Sequence, residues 1–260
     1  SVRHLCRIAN RPKLQEQAQQ LRLCERGRNP RHVAMLNSQR RFGFTLAEVL
    51  VTLGIIGVVS AMTVPSLMQN YQRQSYVTQL HKVYNELSQA LIMYQTDKNA
   101  VNLTEAGLNS VEAFSGFFKN YFKIVQDCGN TPTPCFASEY KKISGGKSYF
   151  TCTNNCFSLA NGASIGNLYG FEHYGANSII AFDIDINGPK GPNIIGRDAF
   201  YILLYKNGML DDWFLDNAAI VAPASKDERE KAFKYCTNTD TGYWHGCFGK
   251  ILNDNWQITY

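Results

Sequence analysis

Between Phe44 and Met68 the chain runs for 25 residues with a single charged side chain, Glu48. As a helix rising ~1.5 Å per residue this stretch would cover roughly 37 Å, enough to cross a hydrocarbon core ~30 Å thick. A basic segment precedes it. Up to Arg41 there are ten Lys and Arg against two Asp and Glu; from Phe44 onward there are sixteen against nineteen. The balance is +8 in front of the apolar run and −3 from it onward, so all of the basic excess lies in front of it. Basic residues placed there read as a cytoplasmic anchor. A nucleic-acid-binding domain would carry its basic excess on the folded part, so no nucleic-acid partner is expected.

Residues 1–34 are rich in Arg and Gln and begin with Ser1; the first methionine is Met35. Residues 1–34 read either as an extension upstream of a start at Met35 or as a basic cytoplasmic tail. An ordinary cleaved secretory signal would have a shorter apolar core followed by a small-residue cleavage site, for which Ser60-Ala61-Met62 is a poor match. Neither a cleaved signal nor a plain signal anchor explains an acid five residues into the apolar run.

The order of residues is more specific than the run itself. Arg40-Arg41-Phe42-Gly43 is followed by Phe44-Thr45-Leu46-Ala47-Glu48 and then by the apolar residues. This unit resembles the N-terminal signature of type IV prepilins and type II secretion pseudopilins. The resemblance covers Met35 to about Met68. It implies cleavage between Gly43 and Phe44 by a prepilin peptidase and N-methylation of the new Phe44 terminus. It implies an assembly role for Glu48, and it puts Pro65 where pilins carry a helix-kinking proline. The implied partners are that peptidase, other pilin or pseudopilin subunits, an inner-membrane assembly platform and the membrane. The implied location is the bacterial inner membrane, with the head outside the cytoplasm, and then a periplasmic or extracellular filament. A charged Glu at the centre of a membrane helix costs about 2.5–3.5 kcal/mol, less near an end, so such a group calls for a partner. The amine freed at Phe44, in the same chain or a neighbouring one, would supply it. A Glu favoured at a helix N-terminus by the helix dipole is the plainer explanation.

Beyond Met68 the polarity changes while the helical period continues. Tyr76, Val77, Leu80, Val83, Tyr84, Leu87, Ala90, Leu91 and Tyr94 recur at three- and four-residue steps, with Gln79, Lys82, Glu86 and Gln89 between them. One apolar stripe on a helix running to about Thr96 is predicted. Ser110 is a cap for a second helix to Phe122, and Ser225-Lys226-Asp227-Glu228 has the pattern of a capping box opening a helix to Cys236. Strands are predicted at Ser148–Thr153, Ser178–Ile186, Phe200–Tyr205, Leu210–Phe214 and Trp256–Tyr260, with an Asn207-Gly208 hairpin turn. The expected class is α+β, a long, partly transmembrane N-terminal helix packed on a small antiparallel sheet, as in pilins. Its segments are 1–34; a leader, 35–43; a membrane half-helix, 44–68; an amphipathic half, 69–97; and a cysteine-rich head, 98–260.

Two groups of residues in the head invite chemistry. Asp183-Ile184-Asp185-Ile186-Asn187-Gly188 alternates so that Asp183, Asp185 and Asn187 share one side of a strand end, with Asp198 able to close the loop. Converging oxygen ligands suit calcium. A polar strand-to-turn edge is the competing explanation. The wider stretch from Asp183 to Phe200 also resembles a segment of pseudopilin-like heads, some of which bind calcium. Six cysteines group locally as Cys128/Cys135, Cys152/Cys156 and Cys236/Cys247, which suits disulfides in an exported head. Zinc is the weaker option, because no paired C-x₂-C knuckles occur and the head's histidines are His173 and His245. Cys6 and Cys24 precede the apolar run. No nucleophile elbow or phosphate loop is visible, so a structural subunit rather than an enzyme is expected. The competing function is a signal-anchored exported domain, calcium-binding or enzymatic, that resembles a pilin only at its start.

Overall fold

A computed structural model describes residues 43–148, 150–170, 176–214, 219–239 and 244–260. Residues 1–34, the leader as far as Phe42, His173 and Tyr243 lie outside the described residues. The chain divides at Ile55/Ile56 into two units, the second being Ile56–Tyr260.

Helix α1 spans Leu46–Asp97 and is continuous through Pro65. Proline has no N–H to donate to the Ala61 carbonyl, so one helical bond is missing at that turn. Val77, Leu80, Val83, Leu87, Ala90, Leu91 and Tyr94 are buried and form the stripe expected from their spacing. Full burial of one Leu side chain is worth about 1.5–3 kcal/mol. Before Tyr76 no apolar side chain of the helix is buried; Leu50, Leu53, Ile56, Val59 and Leu67 are all exposed. The helix contains a window long and apolar enough to cross a membrane, and none of that window is buried.

Helix α2, Val111–Tyr121, starts at Ser110, whose hydroxyl accepts the Ala113 N–H. It buries Phe114, Phe117 and Phe118, and Phe114 meets Phe182 at 5.8 Å between ring centroids. The sheet has nine strands among the described residues: β1 Ile124–Gly129, β2 Tyr140–Lys142, β3 Lys147–Ser148, β4 Cys156–Leu159, β5 Ser164–Gly170, β6 Ser178–Asp185, β7 Ile194–Ile195, β8 Ala199–Tyr205 and β9 Leu210–Asp211. Their order is β1-β4-β5-β6-β8-β7-β2-β3, with β9 also on β8. Pairing is antiparallel except where β7 lies between β2 and β8. The α+β class expected from the sequence is the class observed.

Every residue of β6 and β8 is buried, which requires cover on both faces. Ile180, Phe182, Ile184, Phe200, Ile202 and Leu204 join the core shared with α1 and α2. Ala181, Tyr201, Leu203 and Tyr205 face a second cluster with Phe214, Ile220, Ala222 and Ala232. Ala232 belongs to α3, Lys226–Thr237, which opens with the Ser225–Glu228 capping box.

Three expected strands are shorter or absent. Among the described residues of Ser148–Thr153 only Ser148 lies in a strand (β3), because Cys152 and Thr153 belong to the Cys152–Cys156 loop and Phe150 stacks on Tyr140 at 4.4 Å. Leu210–Phe214 reduces to β9, since Asp212 turns inward to bind backbone 34 residues on. Trp256–Tyr260 is not a strand. Asn255 and Trp256 have φ of 51° and 59°, and the segment is held through side chains. Trp256 stacks on His81 of α1 at 4.2 Å, and the Tyr260 hydroxyl donates to the Gly196 carbonyl at 2.8 Å.

Helix α4, Cys247–Asn253, was not expected from the sequence. Its N-terminal residue, Gly246, has φ +91° and supplies no capping side chain; the Asp212 carboxylate instead accepts the Gly246 and Gly249 N–H groups at 2.8 and 2.7 Å. Disulfides join Cys128–Cys135, Cys152–Cys156 and Cys236–Cys247. The last ties α3 to α4. Two glycines make room for sulfur: a Cβ on Gly166 would strike Cys156 Sγ, and one on Gly196 would lie 2.7 Å from Cys247 Sγ. A Cβ on Gly246 would overlap the Ala232 carbonyl.

Leu87→Ala is expected to lower the unfolding free energy of the head by about 2–5 kcal/mol in a chemical denaturation curve. Gly246→Ala, which combines overlap with a left-handed backbone, should cost on the order of 3 kcal/mol or more in the same measurement.

Candidate functional site

The N-terminal element begins with Gly43, Phe44 and Thr45 outside any helix or strand, all exposed, followed directly by α1. Thr45 and Glu48 form a reciprocal cap. The Glu48 N–H donates to Thr45 Oγ1 at 3.2 Å, while the Thr45 N–H and hydroxyl donate to Glu48 Oε2 at 2.8 and 2.9 Å. This is the capping-box arrangement, and Thr45-x-x-Glu48 is its sequence signature, so it could have been read from the sequence. The acid in the apolar run thus has its hydrogen bonds supplied within its own first turn. Phe44 is 86% exposed, and the scissile-bond candidate between Gly43 and Phe44 has no atom within 4 Å of the Gly43 Cβ position.

The Asp-rich stretch separates into two places. Asp183, fully buried on β6, accepts Asn167 Nδ2 at 2.6 Å and Trp244 Nε1 at 3.3 Å. Asn167 in turn accepts the Thr151 hydroxyl at 2.8 Å. Asp183 therefore stands in a hydrogen-bonded chain of neutral donors. Burial pushes its carboxyl up to about 7 against the pull of those donors.

Asp185, Asn187, Asn193 and Asp198 gather at the other place. Tyr140 donates its hydroxyl to Asp185 at 2.6 Å, and the Asn187 N–H donates to the other carboxylate oxygen at 3.1 Å. Asp198 accepts the N–H groups of Asn193 and Ile194 at 2.7 and 2.6 Å. Burial, and then the charge of Asp198, raises Asp185 to about 8; burial also raises Asp198. The Oδ1 atoms of Asn187 and Asn193 are buried and have no hydrogen-bond partner among the described residues. Two carboxylates and two unsatisfied amide oxygens make an all-oxygen donor set of the kind a hard cation takes. Among the described residues no three His, Cys, Asp or Glu side chains gather into a metal cluster. Asn193 did not figure among the sequence candidates; it has φ +56° before β7, and its N–H donates to Asp198, which no local pattern announces.

The aromatic residues are packing groups. Trp213 and Trp244 are half-buried against the second cluster, and His245 is buried between Trp213 and Tyr235 at 4.3 and 4.7 Å.

Residues 38–64 match the prokaryotic N-terminal methylation motif. The chain is 34% identical over 76 residues to type II secretion system core protein G of Aeromonas hydrophila, covering 29% of this chain and 52% of that one. It is 40% identical over 76 residues to the protein of the same name from Klebsiella pneumoniae, covering 28% and 51%. The chain thus spans about half the length of the curated relatives it matches. No solved structure matches.

The pH dependence of stability follows from the buried aspartates. Burial lets Asp183 hold its proton to about pH 7 when folded, well above the ordinary range of an aspartate carboxyl. The folded state therefore binds more protons across that interval, and its stability falls as pH rises from about 4 to about 7. Asp212, raised by burial to about 7, and Asp185 act in the same direction. Urea midpoints measured from pH 4.5 to 8 should decline, and the decline should be shallower in Asp183→Asn.

Proposed function

We propose that the chain is a structural subunit of a type IV pilus or type II secretion pseudopilus rather than an enzyme. Prepilin peptidase would process it at Gly43–Phe44, and it would assemble through α1. The observation that carries this reading is the coincidence of the methylation motif at residues 38–64 with the N-terminal half of a helix whose apolar side chains there have no cover among the described residues. Such a surface needs lipid or other helices around it. Phe44 would become the N-methylated terminus, and Glu48 would meet the amine of Phe44 on a neighbouring subunit. The names of the relatives weigh toward the secretion pseudopilus. The subunit would first sit in the bacterial inner membrane with its head outside the cytoplasm, and its partners would be the peptidase, other subunits and the assembly platform. The competing reading is an exported domain anchored by its signal.

N-terminal sequencing of the protein from cells separates the two: methylated Phe44 supports the subunit, whereas a chain retaining Arg41 or cut after Ala61 supports the anchored domain. Glu48→Ala should be cleaved normally and fail to enter filaments. Normal filaments from that variant would remove the assembly role.

The second place in the head favours a calcium site held by Asp185, Asp198, Asn187 and Asn193, with Asp183 committed to Asn167 and Trp244. Bound calcium would satisfy both amide oxygens and offset the mutual repulsion of the two carboxylates. Millimolar calcium should raise the melting temperature of the protein, and Asp198→Asn should abolish that rise. An unchanged melting temperature would remove the site.

A further inference from the structure

Three Asn-Gly pairs occur in the sequence, Asn161-Gly162, Asn187-Gly188 and Asn207-Gly208. Glycine at the second position leaves the backbone nitrogen free to swing toward the asparagine side chain. The three pairs differ in their surroundings. Gly188 is buried, and a Cβ there would lie 3.2 Å from the Gly162 carbonyl. Gly208 is half-buried, and the Asn207 amide donates to the Ala222 carbonyl. At the tip of the β4–β5 hairpin both Asn161 and Gly162 are exposed, Gly162 has φ +93°, and nothing lies within 4 Å of its Cβ position.

The Asn161 side chain is already turned over the backbone. Its Oδ1 accepts the Ala163 N–H at 2.9 Å, which curls the amide across Gly162. Its Nδ2 donates to Glu86 Oε2 of α1 at 2.6 Å. The cation nearest Glu86 in the same helix is Lys82, at 3.9 Å and with a side chain 62% exposed. An ion pair of that geometry compensates little further charge.

We propose that Asn161 is a deamidation site, and that its modification converts the tie between the β4–β5 hairpin and α1 into a repulsion. The Gly162 backbone nitrogen attacks Asn161 Cγ and gives up its proton. The bond from Cγ to Nδ2 breaks and ammonia leaves, closing a succinimide. Water then opens either carbonyl of the ring, giving aspartate or isoaspartate. Water is consumed, ammonia is released and nothing is oxidised or reduced. The Gly162 N–H donates to the Leu159 carbonyl at 2.9 Å, so the tip must open before attack, and hairpin tips open at low cost. The product places a carboxylate where an amide had donated to Glu86. Ala163 and Ile165, at the start of the next strand, are fully buried, so the loosening is confined to the tip and its contact with α1.

The test keeps the full chain in detergent micelles in warm, mildly alkaline buffer. Samples are digested, and the peptides are fragmented to locate each amide-to-acid exchange and to separate aspartate from isoaspartate. Asn154, Asn155 and Asn167 lie nearby without a following glycine and serve as internal controls. Asn161 should exchange several-fold faster than these three and faster than Asn187 and Asn207, with isoaspartate among the products. A rate at Asn161 no greater than at Asn154 overturns the site. Asn161→Asp, made directly, should melt at a lower temperature than the unmodified chain, and Glu86→Gln in the same chain should restore the loss. A drop that survives Glu86→Gln, or no drop at all, overturns the repulsion.

Discussion

Leu80, Val83, Leu87 and Leu91 are almost without solvent contact, and they share one buried cluster with Ile180, Phe182, Ile202 and Leu204 of β6 and β8. The rest of the head is organised around this contact. A helix with one apolar stripe cannot hide it alone, and a sheet with two apolar faces needs two covers. The C-terminal half of α1 and α2 supply one cover; the loop from β9 to α3 supplies much of the other. Phe248 of α4 reaches Tyr84 at 6.1 Å and Trp256 reaches it at 5.0 Å, so the chain's last helix packs on the same helix that opens the fold.

The same helix changes environment partway along. From Tyr76 onward its apolar side chains are spaced for one face. From Phe44 to Met68 they occupy the whole circumference, and none finds cover among the described residues. Apolarity all round is the pattern of a helix surrounded by lipid or by other helices. Glu48 is the exception, and the Thr45 cap shows how the chain supplies its hydrogen bonds locally.

What could be read from the sequence tracks the distance over which each element is specified. Helices α1, α2 and α3 carry their period and caps within themselves, in the stripe, in Ser110 and in the Ser225–Glu228 box. Helix α4 does not. Its cap is the carboxylate of Asp212, which no window around Gly246 contains, and seven residues are too few to show a period. The same holds within the candidate site. Alternation put Asp183 and Asp185 on one side of a strand, which the pairing of β6 preserves. What it could not show is that Trp244, 61 residues away, reaches Asp183, or that the Asn193 N–H at the turn before β7 donates to Asp198. The short strands failed for a related reason: Asp212 and the Cys152–Cys156 loop use their residues for contacts made elsewhere in the chain.

Two of the three sulfur bridges are matched to glycines remote in sequence. Cys156 Sγ occupies the space that a side chain on Gly166 would need, and Cys247 and Cys236 do the same to Gly196. Neither member of such a match can be exchanged without regard to the other. A lineage that lost the cysteines would still not be free to fill the glycine positions, because a Cβ on Gly166 also meets the Cys156 Cα at 2.8 Å and the Asn155 carbonyl at 2.9 Å, and Gly196 has φ +91° with Ile143 2.7 Å from its Cβ position. In divergent relatives of this head, glycine at these two places should therefore outlast the cysteines, and a bridge should be found only where its glycine is still present.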